Sequence, residues 1–289
     1  MCDENQLARW ARQSLNRRTF GAGALATAAA ACTSMDGATE SAADAPTLVE
    51  STVSFRTPDG VMDGFFVHPG EGSYPGVIFW PDVAGLRESK RQMARRLAGE
   101  GYAVLVINPY YRDVEGQQYA DFASFAADNG FQKVRPWRQR LDSASVGSDA
   151  KAAASWLFGQ AAVDSSRGIG TEGYCMGGPF TVWSVAADQR IRAAASFHGG
   201  GLVRDADTSP HKMLRGDAHY LIAIAQDDDA EAPTHKDTLR MAMREAGATA
   251  KVDVYAGDHG WCVPDSPAYA PEAAERAYAD KLALYRAAL

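Results

Sequence analysis

Apolar and polar residues along the chain form patterns that predict strands first and helices afterwards. Residues 48–56 and 61–68 alternate well enough to be strands, and Pro58-Asp59-Gly60 between them is a turn signal. An N-terminal β-hairpin is therefore predicted. Residues 103–107 are apolar throughout, which is typical of a strand buried on both faces of a sheet.

After the hairpin, short apolar runs alternate with segments of helical spacing. Further strands are predicted at 75–80, 191–197, 220–225 and 252–255, and helices at 88–100, 149–159, 179–187, 232–246 and 272–288. Alternating strands and helices imply an α/β fold with a mostly parallel sheet covered by helices on both faces. In such a fold ligands bind at the carboxyl ends of the strands.

The first 48 residues differ from the rest in composition. Asn16-Arg17-Arg18-Thr19-Phe20 resembles a twin-arginine export signal, and it precedes an uncharged run at 21–31. The signal could end at Ala29-Ala30-Ala31-Cys32 either as a simple cleavage site or as a lipoprotein box that lipidates Cys32. We expect an export signal at 1–32, a flexible linker at 33–48 and a folded domain at 49–289. The protein would then be periplasmic, or tethered to a membrane through a lipid on Cys32.

Charge and cysteine usage exclude several classes. The chain of 289 residues has a net charge of −7, so nucleic acid is not an expected partner. Of the four cysteines, Cys2 and Cys32 lie in the predicted leader, and Cys175 and Cys262 remain. A framework of disulfides is therefore not expected. No arrangement of His, Cys and carboxylate residues has the sequence spacing of a zinc site.

The most informative motif is Gly173-Tyr174-Cys175-Met176-Gly177-Gly178, between a short apolar run and a predicted helix. The pattern G-x-C-x-G-G has the form of a nucleophile elbow, with cysteine in place of the usual serine. Such a turn exposes one side chain above the edge of the sheet. The motif therefore predicts a hydrolase with a thiol nucleophile. The alternative is a glycine-rich turn that holds an inert, buried cysteine.

A thiol nucleophile needs a base, and the base needs an orienting acid. His259 lies just beyond the last predicted strand, and Asp228 lies just beyond the strand before it. The order nucleophile, acid, histidine is that of α/β-hydrolases. Asp228 stands in a run of three aspartates, so Asp227 and Asp229 remain alternatives, with Asp227 the next choice.

Together these residues resemble the dienelactone hydrolase family of the α/β-hydrolase superfamily, over residues 49–289. The matching segments are 173–178, Asp228, His259-Gly260, Trp80-Pro81-Asp82-Val83-Ala84-Gly85 and Tyr110-Tyr111-Arg112. The resemblance implies a Cys-His-Asp triad that cleaves a small ester or lactone through an acyl-thioester. It also implies an oxyanion hole formed by the backbone N–H groups of Met176 and Val83. Neither a metal nor an organic cofactor is expected.

The chain departs from the family pattern at two positions. Asp82 stands where the family has a glutamate that pairs with the resting thiol. Arg112 matches one of two arginines that hold a substrate carboxylate, but Val263 stands where the second would be. Val263 leaves an apolar wall which, with Trp261 and the aromatic side chains at 119–137, predicts a modest or absent preference for anionic substrates. His198 could also border this pocket, or it could be a structural residue.

Residues 112–146 form an irregular stretch rich in aromatic and charged side chains. Such a segment could cap the site as a lid, or it could be a surface excursion with one helix.

Two other functions compete with ester hydrolysis. The same fold could cleave another acyl bond, such as an amide. Alternatively, the chain could be a non-catalytic or redox-sensing exported lipoprotein in which Cys175 forms a reversible sulfenate, or a disulfide with Cys262. The sequence does not indicate an oligomeric state.

Overall fold

The computed structural model describes residues 46–289, and the predicted export signal, Cys32 and nearly all of the predicted linker lie outside them. Within this range one eight-stranded sheet forms, in the order β1-β2-β4-β3-β5-β6-β7-β8. Its strands are β1 (Leu48–Thr57), β2 (Gly60–Pro69), β3 (Gly76–Trp80), β4 (Ala103–Ile107), β5 (Ile169–Tyr174), β6 (Ile191–Phe197), β7 (His219–Ala225) and β8 (Thr249–Tyr255). The described residues contain no helix with the length and apolar character needed to cross a bilayer.

The pairing of the strands confirms the predicted fold. β1 and β2 are antiparallel neighbours, and β2 also pairs antiparallel with β4. From β4 onward every pairing is parallel. The sheet is therefore mostly parallel with an N-terminal hairpin at one edge.

Helices cover both faces of the sheet. They are α1 (Glu88–Gly99), α2 (Phe122–Ala127), α3 (Gly130–Lys133), α4 (Arg135–Arg138), α5 (Ser143–Phe158), α6 (Gly178–Ala187), α7 (Gln226–Glu231), α8 (His235–Glu245) and α9 (Pro271–Ala288). Apolar residues of α5, α6 and α8 join one core cluster, and those of α1 and α9 join the other. Strand β4 is apolar throughout because both of its faces are buried. Leu105 faces the first cluster, and Val104 faces the second.

Two helices differ from the sequence-based expectation. Helix α5 begins at Ser143 rather than at 149, because Asp142 and Ser145 form a reciprocal capping box. The Asp142 carboxylate accepts a hydrogen bond from the Ser145 backbone N–H at 2.8 Å. The three aspartates at 227–229 lie in the short helix α7 rather than in a loop, and α8 starts only at His235.

The segment predicted as a lid or a surface excursion contains three short helices, α2 to α4. Several of its aromatic side chains pack on one another. Phe125 lies edge-on to both Tyr119 and Phe131, with ring centroids 5.1 and 4.8 Å apart. Most of the aromatic content therefore stabilises the segment itself.

Candidate active site

Cys175 lies on a tight turn directly after β5. Residues Cys175–Gly177 form one turn of 3-10 helix, and α6 follows at once. The φ angle of Cys175 is +54°, in the left-handed region that non-glycine residues rarely adopt. A Cβ atom on Gly173 would lie 2.0 Å from the Gly177 carbonyl oxygen, so only glycine fits there. The turn thus has the strained geometry of a nucleophile elbow.

His259 and Asp228 meet at the carboxyl end of the sheet, beyond β8 and β7. His259 Nδ1 donates to Asp228 at 2.8 Å from Oδ2 and 3.1 Å from Oδ1. The other two aspartates have different partners. Asp227 accepts the backbone N–H of His259 at 2.8 Å, and Asp229 binds Lys236 at 2.8 Å. Of the three candidates, Asp228 is therefore the one that contacts the imidazole.

The electrostatic environment of His259 favours its protonated form. Burial acts to lower the pKa of His259, but the negative charge of a Cys175 thiolate and the hydrogen bond to Asp228 raise it to about 10. The side chain is almost fully buried, so these interactions are poorly screened by water. The arrangement therefore stabilises a thiolate-imidazolium pair.

His198 lies closer to this pair than the sequence suggested. One ligand atom each from Cys175, His198 and His259 lie within 4.8 Å of one another. The two imidazole rings are 4.7 Å apart between centroids. Within residues 46–289 the ring nitrogens of His198 have no hydrogen-bond partner of standard geometry, although a hydrogen bond with Cys175 acts to raise the pKa of the ring. Burial lowers the pKa of His198, so its imidazole is neutral where that of His259 is charged.

Asp82 does not take the place of the thiol-pairing glutamate, which corrects the expectation from the family pattern. Arg87 donates to both of its carboxylate oxygens, at 2.7 and 2.9 Å, and Lys90 lies 2.7 Å from Oδ2. Burial opposes ionisation, but these two cations together hold the pKa of Asp82 well below its usual range. The carboxylate is therefore saturated by buried cations. The polar side chains grouped with Cys175 are instead the two histidines.

The two expected oxyanion-hole residues lie beside Cys175. Val83 and Met176 line the same cavity as the thiol. Met176 lies in the first turn of the 3-10 helix, where backbone N–H groups have no partner within the helix, and the Val83 N–H donates none of the loop hydrogen bonds within residues 46–289. Tyr110 ties the two segments together, because its hydroxyl donates to the Val83 carbonyl at 2.8 Å and lies 3.3 Å from Met176 Sδ. Both donors are thus available to a ligand.

Arg112 does not reach the cavity, so its expected contact with a substrate carboxylate is corrected. Its guanidinium binds Asp149 through two hydrogen bonds of 2.8 Å and also pairs with Asp59. Asp149 lies in α5 and its side chain is fully buried. A buried carboxylate needs a compensating cation, and Arg112 supplies it.

Trp261 is also absent from the cavity wall. It is fully buried, lies 5.2 Å from the His198 ring between centroids and stacks on Tyr255 at 5.5 Å. It therefore supports His198 from behind instead of contacting a substrate.

Cys262 lies apart from the candidate site. It lines a different cavity, of about 180 Å³, together with Tyr174 and Phe197. Burial raises the pKa of its thiol to about 12, which opposes formation of the thiolate that redox chemistry requires. Neither Cys175 nor Cys262 is in a disulfide in the described part of the chain. The structure therefore does not support the redox alternative.

A cavity of about 580 Å³ opens onto Cys175, His259 and Asp228. Arg138 of α4 and Arg204 of the segment after β6 also line it. Neither arginine side chain forms an ion pair within residues 46–289. Partial burial and the positive charge of Arg138 lower the pKa of Arg204, which indicates that the two guanidinium groups influence each other. Leu141 lines the cavity as well, so part of the predicted lid segment does border the site.

Comparison with known proteins places these features in a family context. A sequence model of the dienelactone hydrolase family matches residues 62–289. A Methylorubrum extorquens protein named as a candidate carboxymethylenebutenolidase is 28% identical over 273 residues, which cover 92% of this chain and 90% of that protein. A Salmonella typhi protein with the same name is 28% identical over 232 residues, or 73% and 80% of the two chains. The crystal structure of a candidate dienelactone hydrolase from Klebsiella pneumoniae has a TM-score of 0.67 at 25% identity, and the match covers 83% of this chain and 99% of that one.

Proposed function

The chain belongs to the dienelactone hydrolase family, and we propose that it hydrolyses small esters or lactones with Cys175 as nucleophile, His259 as general base and acid, and Asp228 as orienting acid. The main support for this proposal is a chain of interactions: Asp228 accepts a hydrogen bond from His259, and His259 interacts with the Cys175 thiol on the strained turn. Hydrolysis of a panel of p-nitrophenyl esters and lactones by the purified protein tests it, and no turnover of any of them would contradict it.

In the proposed reaction the Cys175 thiolate attacks the carbonyl carbon, and a carbon–sulfur bond forms. The ester C–O bond breaks as protonated His259 gives its proton to the departing alcohol. A water molecule then attacks the thioester while His259 accepts its proton, and the thiolate leaves. Asp228 accepts from Nδ1 throughout, which leaves Nε2 directed at the reacting atoms.

The negative charge that develops on the carbonyl oxygen would be stabilised by the backbone N–H groups of Val83 and Met176. One such donor contributes on the order of 3 kcal/mol to the transition state in comparable enzymes. Both donors must hold their places, and Tyr110 is the residue that ties their segments together.

Tyr110→Phe should lower kcat by about tenfold with little change in KM. The hydroxyl would no longer restrain the Val83 loop, and a donor that moves loses part of a contribution made only in the transition state. Steady-state kinetics on one p-nitrophenyl ester test this, with Tyr74→Phe as the control, because Tyr74 lies outside the cavity. A rise in KM at constant kcat would assign Tyr110 to substrate binding instead.

The cavity wall further suggests that the substrate carries a negative charge. Arg138 and Arg204 lack carboxylate partners in the described chain, unlike Lys236, which is held by Asp229. Glu231 also lines the cavity, so the wall is not uniformly positive. Two guanidinium groups that line one cavity and have no ion pair in the described chain are suited to binding a carboxylate through charge-assisted hydrogen bonds. This proposal replaces the expected modest or absent preference for anions, which rested on Arg112 as the single arginine and on an apolar wall at Val263 and Trp261.

Arg138→Gln and Arg204→Gln should each reduce kcat/KM for a carboxylate-bearing ester by about tenfold, which corresponds to about 1.4 kcal/mol. The matching neutral ester should be affected by less than about twofold, because glutamine keeps much of the side-chain volume. The measurement is the ratio of kcat/KM for the two esters in each variant.

Arg244→Gln is the matched control for this pair, since Arg244 is an exposed arginine of α8 that does not line the cavity. An equal loss for the charged and the neutral ester would show that the arginines support the cavity wall and do not select an anion. An unchanged ratio in both variants would leave the preference for neutral substrates standing.

A further inference from the structure

The group formed by Cys175, His198 and His259 has the composition of a transition-metal site. Thiolate and imidazole are the ligands that zinc prefers, and three protein ligands with one open position is the usual arrangement of a reactive zinc site. All three side chains are buried, with exposures of 6%, 1% and 2%. They come from separate connections after β5, β6 and β8, so they do not form a metal-binding motif of short spacing in the sequence.

The distances within the group are close to those a zinc ion requires. Zn–S bonds of about 2.3 Å and Zn–N bonds of about 2.0–2.1 Å place tetrahedral ligand atoms roughly 3.4–3.6 Å apart. The ligand atoms of the three residues already lie within 4.8 Å of one another. Small side-chain rotations would therefore bring them into coordination.

One histidine is pre-oriented as a ligand, and the other has ring nitrogens available. A carboxylate bound to the far nitrogen of a ligating histidine is the usual outer support of a zinc site, and Asp228 provides it for His259. His198 is fully buried, and its two ring nitrogens lack partners of good geometry within residues 46–289. A hydrogen bond with Cys175 contributes to the pKa of this buried imidazole, and a metal ion held by both side chains would satisfy the ring nitrogens more fully.

The space beside the three ligands fits a single ion or water molecule. A small cavity of about 20 Å³ is lined by all three residues, and Val83 and Val263 close it. That volume is close to the minimum that one water molecule needs. Asp82 also borders the cavity, but Arg87 and Lys90 occupy its oxygens, so water would complete the coordination.

We propose that Cys175, His198 and His259 form a site for one zinc ion, and that zinc binding inhibits the hydrolase reversibly. Binding forms one Zn–S bond to the Cys175 thiolate and one Zn–N bond to each imidazole, and the proton on His259 Nε2 passes to solvent. The inhibition rests on the proposed function, because the bound metal occupies the sulfur lone pair that would attack the substrate. The binding itself does not depend on that function.

Titration of the purified full-length protein with Co²⁺ tests the site directly, because cobalt substitutes for zinc and reports a bound thiolate by charge-transfer absorption in the near ultraviolet. We expect one Co²⁺ per chain, an absorption band that Zn²⁺ displaces, and loss of the band in Cys175→Ala. Cys262→Ala is the matched control and should keep the band. Absence of the band in the wild type would overturn the proposal.

His198→Asn and His198→Gln should each weaken Co²⁺ binding by at least about tenfold, since even an outer-shell partner contributes that much. His235→Asn is the control, because His235 lines the large cavity outside the group. Circular dichroism verifies that each variant is folded. Unchanged affinity in both His198 variants, or loss of binding in His235→Asn, would overturn the assignment.

Zn²⁺ should inhibit ester hydrolysis by the wild type, a chelator should restore the activity, and the His198 variants should be inhibited only at a higher Zn²⁺ concentration. A wild type that binds Co²⁺ but cleaves no ester would contradict the proposed function and leave the metal site in place. A wild type that cleaves esters without binding Co²⁺ would contradict the metal site and leave the proposed function in place.

Discussion

Cys175→Ala is expected to abolish ester hydrolysis, by about 10⁴-fold or more, while the protein remains folded. The substitution removes the only atom proposed to form the acyl-thioester, and the members of a triad act as a unit. It removes little volume, and alanine meets the same backbone constraint at φ +54° as cysteine does. Burst and steady-state kinetics with a p-nitrophenyl ester measure the loss, and thermal unfolding measures the stability.

Two further variants separate the nucleophile from a merely reactive thiol. Cys175→Ser should fold but turn over much more slowly, because a hydroxyl is harder to deprotonate than a thiol. Cys262→Ala should keep wild-type kinetics, since Cys262 lines a different cavity. Full activity in Cys175→Ala, or its loss in Cys262→Ala, would remove Cys175 from the role of nucleophile.

The fold was predictable because its signals are local. A short, fully apolar run such as β4 (Ala103–Ile107) is typical of a strand buried on both faces, and the structure places apolar side chains of β4 in both core clusters. The alternation of strands and helices then determined a mostly parallel sheet. The early start of α5, at Ser143, was missed because it depended on the Asp142–Ser145 capping box. That signal was present in the sequence but carries no apolar periodicity.

Site residues were predictable only where their position at the end of a strand determines where they lie in the fold. Cys175, Asp228 and His259 each follow a strand, and parallel strands bring their carboxyl ends to one edge. The roles of Asp82 and Arg112 were predicted wrongly because each side chain forms an ion pair with a residue of opposite charge instead of contacting the thiol or a substrate. Arg87, five residues after Asp82, was a visible signal for the first case. Asp149 comes from a helix far along the chain, and nothing local indicates its pairing with Arg112.

The cavity arginines and His198 illustrate a further limit of sequence reasoning. Arg138 lies in a short helix of the capping segment and Arg204 in an irregular connection, so neither has a periodic pattern that directs it toward the site. His198 follows β6, which indicates the correct edge of the sheet. Its proximity to Cys175 and His259 arises from a backbone turn with φ of +39°, and residue type alone does not specify such a turn.

Asp228→Asn should lower kcat severely, by about 10⁴-fold by comparison with other triads, whereas Asp229→Asn should have little effect. An asparagine can present its amide N–H to Nδ1 and so favour the wrong imidazole tautomer. Asp229 contacts Lys236 and not the histidine, so Asp229→Asn is the matched control. Asp227→Asn should fall between them, because the asparagine carbonyl can still accept the backbone N–H of His259.

The pH dependence gives this prediction a second, independent readout. The pKa of His259 is raised above 6.5 to about 10, and the hydrogen bond to Asp228 is one of the causes. The protonated histidine that the leaving group needs is therefore present at neutral pH and lost as the pH rises through about 10. Removing the carboxylate charge removes one of the interactions that hold the proton, so the alkaline limb of kcat/KM should move to lower pH in Asp228→Asn. An unshifted limb with an intact kcat would show that Asp228 does not orient His259, and a crippled Asp227→Asn would assign that role to its neighbour.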